Sequence, residues 1–127
     1  MRIYKTRWLA RFARHERITD ASLHEAVARA ERGLIDADLG GGLIKQRVAR
    51  KGQGRSGGYR MIVAYRERDR AVFLYGFAKS DRENIDQDEL LDLRQVGLNW
   101  LNAPAQKIAE AIEEGQLQEV DLDEEET

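Results

Sequence analysis

Apolar positions recur at helical spacing near the N-terminus and form near-continuous runs in the middle of the chain. The pattern predicts a short strand over residues 1–5 and a helix over residues 7–16. A second helix is predicted to begin after Thr19, a typical N-cap residue, and to end at Gly33. We expect these two helices to form an antiparallel hairpin.

Three strands are predicted after the helices, over residues 43–50, 59–67 and 71–78, with the polar turn 68–70 joining the last two. The last two strands are rich in Val, Ile, Tyr and Phe, and their centres are almost entirely apolar. This composition is typical of central strands that are covered on both faces. In the first strand, alternation directs the polar Gln46 toward the core, which the pattern leaves unexplained.

Two further helices are predicted after the strands. Asp86, followed by Glu89 three residues later, matches the capping-box pattern at the start of a helix. Gly97 lies inside this helix, where glycine costs about 1 kcal/mol relative to alanine, so helix packing or a bend is needed to justify it. Pro104 suits the first turn of a final helix that ends at Gly115.

This order of elements predicts an α+β fold, in which a small antiparallel sheet packs against an N-terminal helical hairpin and C-terminal helices. We expect the helices on one face of the sheet and a second face that is partly open. A chain of 127 residues suits one domain, which we assign to residues 1–118. Residues 119–127 contain six acids and no base, and are predicted to be a disordered tail.

The composition excludes several kinds of chemistry. Without cysteine, the chain has no disulfide framework, thiol nucleophile or thiolate metal site. His15 and His24 have no third ligand type beside them, so we interpret them as ordinary helix residues and expect no metal and no cofactor. No apolar run approaches the roughly 18 residues that span a bilayer, and the N-terminus is charged, unlike a signal peptide. We therefore expect a cytoplasmic protein without membrane contact.

The net charge of −2 conceals a strong segregation of charge along the chain. Residues 1–79 contain 18 basic and 8 acidic side chains, whereas residues 80–127 contain 3 basic and 15 acidic ones. Such segregation favours a charged interaction surface on one side of the molecule.

The basic charge is densest in the central segment, residues 45–60, which contains no acid. Its six cations are Lys45, Arg47, Arg50, Lys51, Arg55 and Arg60. Uncompensated cations repel one another and favour an anionic ligand such as phosphate, and the four glycines of this segment would let a backbone approach closely. The alternative is a solvated loop that is basic only for solubility.

Strand alternation predicts that several of these cations share one face of the sheet. Lys45 and Arg47 are two residues apart and therefore point the same way. Arg60 lies near the start of the next strand, and Lys79 lies at the end of the third, with Tyr75 on the same face as Lys79. The predicted cluster depends on the strand register.

Such a cluster has the chemistry to cleave RNA without a metal ion. Arginines supply fixed hydrogen-bond donors for the charge that develops on the phosphate. A lysine whose pKa is lowered by neighbouring cations can accept or donate a proton.

Three segments resemble the RelE/HigB branch of type II toxins: GGLIKQRVA (residues 41–49), KGQGRSGGYR (residues 51–60), and YGFAKS (residues 75–80) with Asn84-Ile85. The resemblance covers about residues 1 to 100. It implies the RelE-like fold and a ribosome-dependent endoribonuclease site on the exposed sheet face, acting on mRNA. It also implies an antitoxin that neutralises the toxin, and contact with operator DNA only through the antitoxin complex.

The resemblance also implies roles for individual residues. Arg60 falls where the family keeps an arginine beside the scissile phosphate, Lys45 and Arg47 match basic residues that bind or activate RNA, and Lys79 matches a basic position after the last core strand. Ser80, by contrast, stands where RelE has a second catalytic arginine, and the late tyrosine of RelE and the histidines of HigB have no match here. The remaining residues that we expect to contact RNA are Arg50, Lys51, Arg55 and Tyr75.

Two alternative functions remain open. ParE-like toxins share the fold but inhibit DNA gyrase by binding, without cleaving nucleic acid; the shared face predicted for Lys45, Arg47 and Arg60 favours the nuclease. A non-catalytic RNA-binding module usually interleaves aromatic and basic residues for base stacking, and residues 43–58 contain no aromatic.

Overall fold

The computed structural model describes residues 1–50 and 54–121, and for residues 54–56 it describes the backbone. The elements in chain order are β1 (Arg2–Thr6), α1 (Arg7–Glu16), α2 (Asp20–Glu31), β2 (Ala37–Gly40), β3 (Leu43–Arg50), β4 (Gly54–Arg66), β5 (Arg70–Ala78), α3 (Gln87–Asn102), α4 (Ala105–Glu113) and β6 (Leu117–Glu119). The predicted α+β class is confirmed, and the caps at Thr19 and Asp86 form as expected.

The described residues form one sheet of six strands in the order β2-β3-β4-β5-β1-β6. The β3–β4–β5 meander is antiparallel as predicted, but β1 lies beside β5 and runs parallel to it. The two edge strands were not predicted, because each is only three or four residues long. Strand β2 joins β3 through Gly40, Gly41 and Gly42, all of which have positive φ, a conformation that glycine adopts at little cost.

Helices pack on both faces of the sheet. Helices α1 and α2 cover the first face, where they bury Met61, Val63 and Phe73. Helices α3 and α4 cover part of the second face, around Leu43 and Ala64. The expectation of helices on one face only is therefore wrong, because the central strands carry apolar residues on both sides and each side needs a cover.

Gly97 provides the close contact between α3 and the second face. A Cβ atom at this position would lie 2.9 Å from Leu43 Cδ2, 3.1 Å from Ala64 Cβ and 3.2 Å from Leu74 Cδ1. Of the two explanations that the sequence allows for this glycine, close packing of the helix is the one that the structure supports.

Gln46, the polar residue predicted to face the core, is 1% exposed and fully engaged in hydrogen bonds. Its Nε2 donates to the carbonyls of Ala26 (2.9 Å) and Leu34 (3.2 Å), and its Oε1 accepts the backbone N–H of Asp36 (2.7 Å). The amide therefore links β3 to α2 and to the segment that follows α2. A buried polar group is tolerated when its partners are present in this way.

The folded part of the chain extends beyond the boundary predicted at residue 118. Strand β6 pairs with β1 through Glu119, and Val120 is buried in the core of the first face. The backbone N–H of Asp121 then donates to the carboxylate of Asp20. The rest of the predicted tail, residues 122–127, lies outside the described residues.

Candidate functional site

The strand register brings Lys45, Arg47 and Arg60 together on the second face of the sheet. Arg47 on β3 stands directly opposite Arg60 on β4, and Lys45 stands opposite Ile62. We call Lys45, Arg47 and Arg60 the basic face. Leu43, which α3 covers, lies two residues before Lys45 and four before Arg47, so the basic face extends from about 7 to about 13 Å along β3 from the centre of the helix contact.

The three cations differ in exposure. Arg47 is exposed, Lys45 is partly exposed, and Arg60 is 7% exposed. Burial lowers the pKa of the Arg60 guanidinium, the positive charge of Arg47 lowers it further, and the carboxylate of Asp36 acts in the opposite direction. Arg60 is therefore held in place as a poorly solvated cation, which is a favourable state for binding an anion.

Asp36 fixes the backbone of β3 beside the basic face. Its carboxylate accepts the backbone N–H of Arg47 (2.7 Å) and a hydrogen bond from the buried guanidinium of Arg29 (3.2 Å). Partial burial alone would raise the pKa of Asp36, but these two donors outweigh it and lower the pKa. A charge-assisted connection thus ties α2 to the strand that carries Lys45 and Arg47.

Aromatic residues of β5 continue the second face beside the basic face. Phe77 is paired with Arg60, and Tyr75 is paired with Ile62, the residue opposite Lys45. The rings of Tyr75 and Phe77 have centroids 6.2 Å apart. The structure therefore places Tyr75 beside the basic face.

Arg82 is a further cation at this site, and sequence reasoning missed it. Its guanidinium lies 5.6 Å from the ring centroid of Phe77 and donates to the Tyr75 hydroxyl (3.4 Å) and to both carboxylate oxygens of Glu89 (2.6 and 3.1 Å). The bond from Arg82, together with the backbone N–H of Asp86, holds the pKa of Glu89 down at about 2. Arg82 follows β5 in an irregular segment, where no periodicity indicates the direction of a side chain.

Other predicted site residues lie at the edge of this arrangement or outside it. Lys79 is exposed one residue after β5, and its backbone N–H donates to the carbonyl of Gly58 (3.0 Å). Arg50 follows a register shift in β3, and its guanidinium lies over the ring of Tyr59 in the first-face core, away from the basic face. Lys51 and the side chain of Arg55 lie outside the described residues.

Gly58 has a structural explanation that differs from the close approach of phosphate expected for the glycines of this segment. A Cβ atom here would lie 2.2 Å from the carbonyl oxygen of Val48 and 2.6 Å from the backbone nitrogen of Arg50. The missing side chain therefore makes room for the irregular end of β3.

Within residues 1–50 and 54–121, no three His, Cys, Asp or Glu side chains are grouped closely enough to hold a metal ion. In the same part of the chain, no helix is long and apolar enough to cross a bilayer.

Comparison with known families gives a match over nearly the whole chain. The family model described as the RelE toxin of the RelE/RelB toxin–antitoxin system matches residues 1–120. The chain belongs to the RelE toxin family. No curated protein and no solved structure gives a significant match.

Membership of the RelE family identifies the chain as the toxin component of a toxin–antitoxin system, which implies a cognate antitoxin as its partner. The match ends at residue 120, and Val120 is also the last buried residue in the described part of the chain. RelE toxins are generally known as endoribonucleases.

Proposed function

We propose that this RelE toxin is a ribosome-dependent, metal-independent mRNA endonuclease that inhibits translation. The observation that carries the proposal is the register of β3 and β4, which sets Arg47 directly opposite Arg60 with Lys45 on the same face. Like charges opposite each other in a sheet are destabilising, so an anionic ligand is the natural partner of this arrangement. The phosphodiester backbone of RNA is such a ligand.

The proposed reaction is an intramolecular transesterification. The 2′-oxygen attacks the adjacent phosphorus, the bond to the 5′-oxygen breaks, and a 2′,3′-cyclic phosphate is left on the upstream fragment. Arg60 and Arg47 bind the phosphate oxygens and stabilise the additional charge of the transition state. Lys45 or Lys79 accepts the proton of the 2′-hydroxyl, or supplies one to the departing 5′-oxygen.

In the proposed function, the toxin acts in the cytoplasm on mRNA held in the ribosomal A site. The antitoxin neutralises it, and operator DNA is contacted only through the antitoxin complex. Arg50, Lys51 and Arg55 are proposed to contact the RNA outside the scissile phosphate, and Tyr75 supports the nucleotide beside it.

The experiment that tests this proposal adds one preparation of the toxin to three systems, which are mRNA on the ribosome, free mRNA and DNA gyrase. Ribosomes carrying a defined mRNA codon in the A site should yield a cut within that codon, and the same mRNA without ribosomes should stay intact. DNA gyrase is assayed in parallel by its supercoiling of plasmid DNA. If mRNA on the ribosome stays intact and gyrase is inhibited, the nuclease proposal is wrong and the ParE-like alternative is supported.

A further inference from the structure

Helix α1 presents an aromatic and basic surface on the outside of the molecule. Trp8 is 44% exposed, and Arg11 and His15 are exposed at three and seven residues further along the same helix. This spacing places them on one side of the helix, where they line a shallow groove of about 250 Å³ together with Phe12. The function proposed above makes no use of this surface.

Arg11 has no acidic partner in the described part of the chain, where no carboxylate lies within 4 Å of its guanidinium. A cation beside a large exposed aromatic ring is a typical arrangement for binding single-stranded nucleic acid, because the ring stacks on a base and the cation contacts phosphate. Such interleaving is what residues 43–58 lack.

The surface of α1 adjoins the basic face through direct ring contact. The ring centroids of Trp8 and Tyr75 are 4.6 Å apart. Tyr75 is paired with Ile62, which is paired with Lys45, so two strand spacings, about 10 Å, separate Tyr75 from Lys45, and one strand spacing separates its strand from that of Arg60. An RNA strand that leaves the basic face across β5 therefore meets Trp8 next.

Trp8 is better placed than Tyr75 to receive a base. The Tyr75 ring lies between Trp8 and Phe77, and its hydroxyl accepts a hydrogen bond from Arg82. Phe12 stacks against the Trp8 indole, with centroids 5.3 Å apart and planes inclined by 15°. Trp8 therefore has two ring neighbours, Phe12 and Tyr75, just as Tyr75 has two, and it differs from Tyr75 in its exposure, since almost half of its surface faces solvent.

We propose that Trp8 stacks on an unpaired RNA base when RNA is bound at the basic face, and that Arg11 contacts a phosphate next to that base. This inference rests on the proposed function, because the basic face must first hold RNA. The base belongs either to the mRNA beside the scissile bond or to single-stranded ribosomal RNA, since both present the same chemistry.

The two tryptophans of the chain allow a direct test by fluorescence. Trp100→Phe leaves Trp8 as the single indole, and Trp8→Phe leaves Trp100, which lies on α3 at a different surface groove. The probe is a short single-stranded oligoribonucleotide with 2′-O-methyl groups, which cannot be cleaved through the 2′-oxygen. Binding is measured at low salt by the anisotropy of a dye on the oligonucleotide.

Base stacking should quench the indole of the Trp100→Phe variant and leave the Trp8→Phe variant unquenched. Quenching of both variants, or of neither while the oligonucleotide binds, would overturn the inference. Arg47→Gln, made in the Trp100→Phe background, shows whether a negative result concerns Trp8 alone or also the binding of RNA at the basic face. If Arg47→Gln weakens binding but no quenching occurs, the basic face binds RNA and the role of Trp8 is wrong. If the oligonucleotide binds equally well to Arg47→Gln, neither the basic face nor Trp8 is its binding site. Absent binding overturns the role of Trp8, whereas the ribosome-dependent nuclease is judged separately by the cut in the A-site codon.

Affinity gives a second readout with matched controls. Trp8→Ala should weaken oligonucleotide binding at least about fivefold, the lower end of what stacking on one ring contributes. Leu98→Ala, at a position that is also 44% exposed but lies on α3, should leave binding unchanged. Arg11→Gln should weaken binding and flatten its logarithmic salt dependence by about 0.7, whereas Arg32→Gln, at an exposed cation after α2, should do neither.

Ribosome experiments identify the source of the base. If it belongs to mRNA, Trp8→Ala should change the preference for nucleotides flanking the cut and leave the protection of ribosomal RNA by the toxin unchanged. If it belongs to ribosomal RNA, Trp8→Ala should expose a nucleotide that the wild-type toxin protects from 2′-hydroxyl acylation. The proposal would be overturned if Trp8→Ala changed neither the nucleotide preference at the cut nor the protection of ribosomal RNA. If Trp8→Ala weakened only antitoxin binding, the surface of α1 would instead be a site for a protein partner.

Discussion

Arg47 and Arg60 face each other across β3 and β4, and the pairing places two positive charges where a sheet ordinarily places opposite or neutral partners. Asp36 holds the backbone of Arg47, and burial holds the side chain of Arg60. The fold therefore maintains a repulsive pair that an RNA phosphate would relieve.

The first prediction is that Arg47→Gln makes the free toxin more stable. Removing one of two opposed like charges should raise the free energy of unfolding by about 0.2–1 kcal/mol, measured by urea denaturation at low salt. The gain should shrink at 1 M salt, where the Debye length is about 3 Å. A destabilised Arg47→Gln variant would show that the pair is not strained.

The second prediction concerns the buried amide of Gln46. Gln46→Met keeps a similar side-chain length but removes the partner of the carbonyls of Ala26 and Leu34 and of the N–H of Asp36. Leaving buried backbone groups unsatisfied should cost about 1–3 kcal/mol in urea denaturation. Gln95→Met, at an exposed position on α3, serves as the control and should change stability by less than about 0.5 kcal/mol. Equal stabilities of the two variants would contradict the structural role of Gln46.

Gln46 also shows which features of the fold the sequence pattern predicts and which it does not. Alternation correctly directed its side chain inward, since the period of a strand is two. The partners that make this position favourable lie 10 to 20 residues away in α2 and in the segment after it. Such long-range hydrogen bonds leave no periodic signal, so the pattern locates the misfit but not its explanation.

The third prediction concerns the close contact of α3 with the sheet. Alanine favours a helix over glycine by about 1 kcal/mol, yet Gly97→Ala would place a Cβ atom within 3.1 Å of Ala64 Cβ, which has no freedom to turn away. We expect a net loss of about 1–2 kcal/mol in thermal or urea unfolding. A more stable Gly97→Ala variant would mean that helix propensity outweighs packing at this position.

The fourth prediction is a dependence of stability on acid pH. Because the pKa of Glu89 is about 2 in the folded state against 4.5 for a free side chain, its stabilising effect is present above about pH 4.5 and is lost as the pH falls toward 2. Glu89→Gln should therefore lower the unfolding temperature at pH 6 and lose that difference near pH 2. Glu113→Gln, at an exposed position on α4, is the control, and a similar pH profile for both variants would argue against the Arg82–Glu89 pair as the cause.

The candidate site could be predicted from the sequence in part. Lys45, Arg47 and Arg60 share a face because alternation and a regular antiparallel register are local rules that the sequence carries. Arg50 departs from that face at a register shift, and Arg82 joins the neighbouring aromatic residues from an irregular segment. Both depend on backbone irregularities, which hydrophobic patterns do not specify.

The most direct test of the proposed function is to map new mRNA 5′ ends after adding the toxin to a translating extract. Arg60→Ala removes the buried cation, Arg60→Lys keeps the charge but loses the planar fork that grips phosphate, and Arg32→Ala removes an exposed cation elsewhere. Urea denaturation confirms that each variant is folded. We predict codon-phased cuts with the wild type and with Arg32→Ala, a loss of at least about 100-fold with Arg60→Ala, and an intermediate loss with Arg60→Lys. Intact mRNA with the wild type, or unchanged cutting by folded Arg60→Ala, would contradict the assignment of the basic face as a nuclease site.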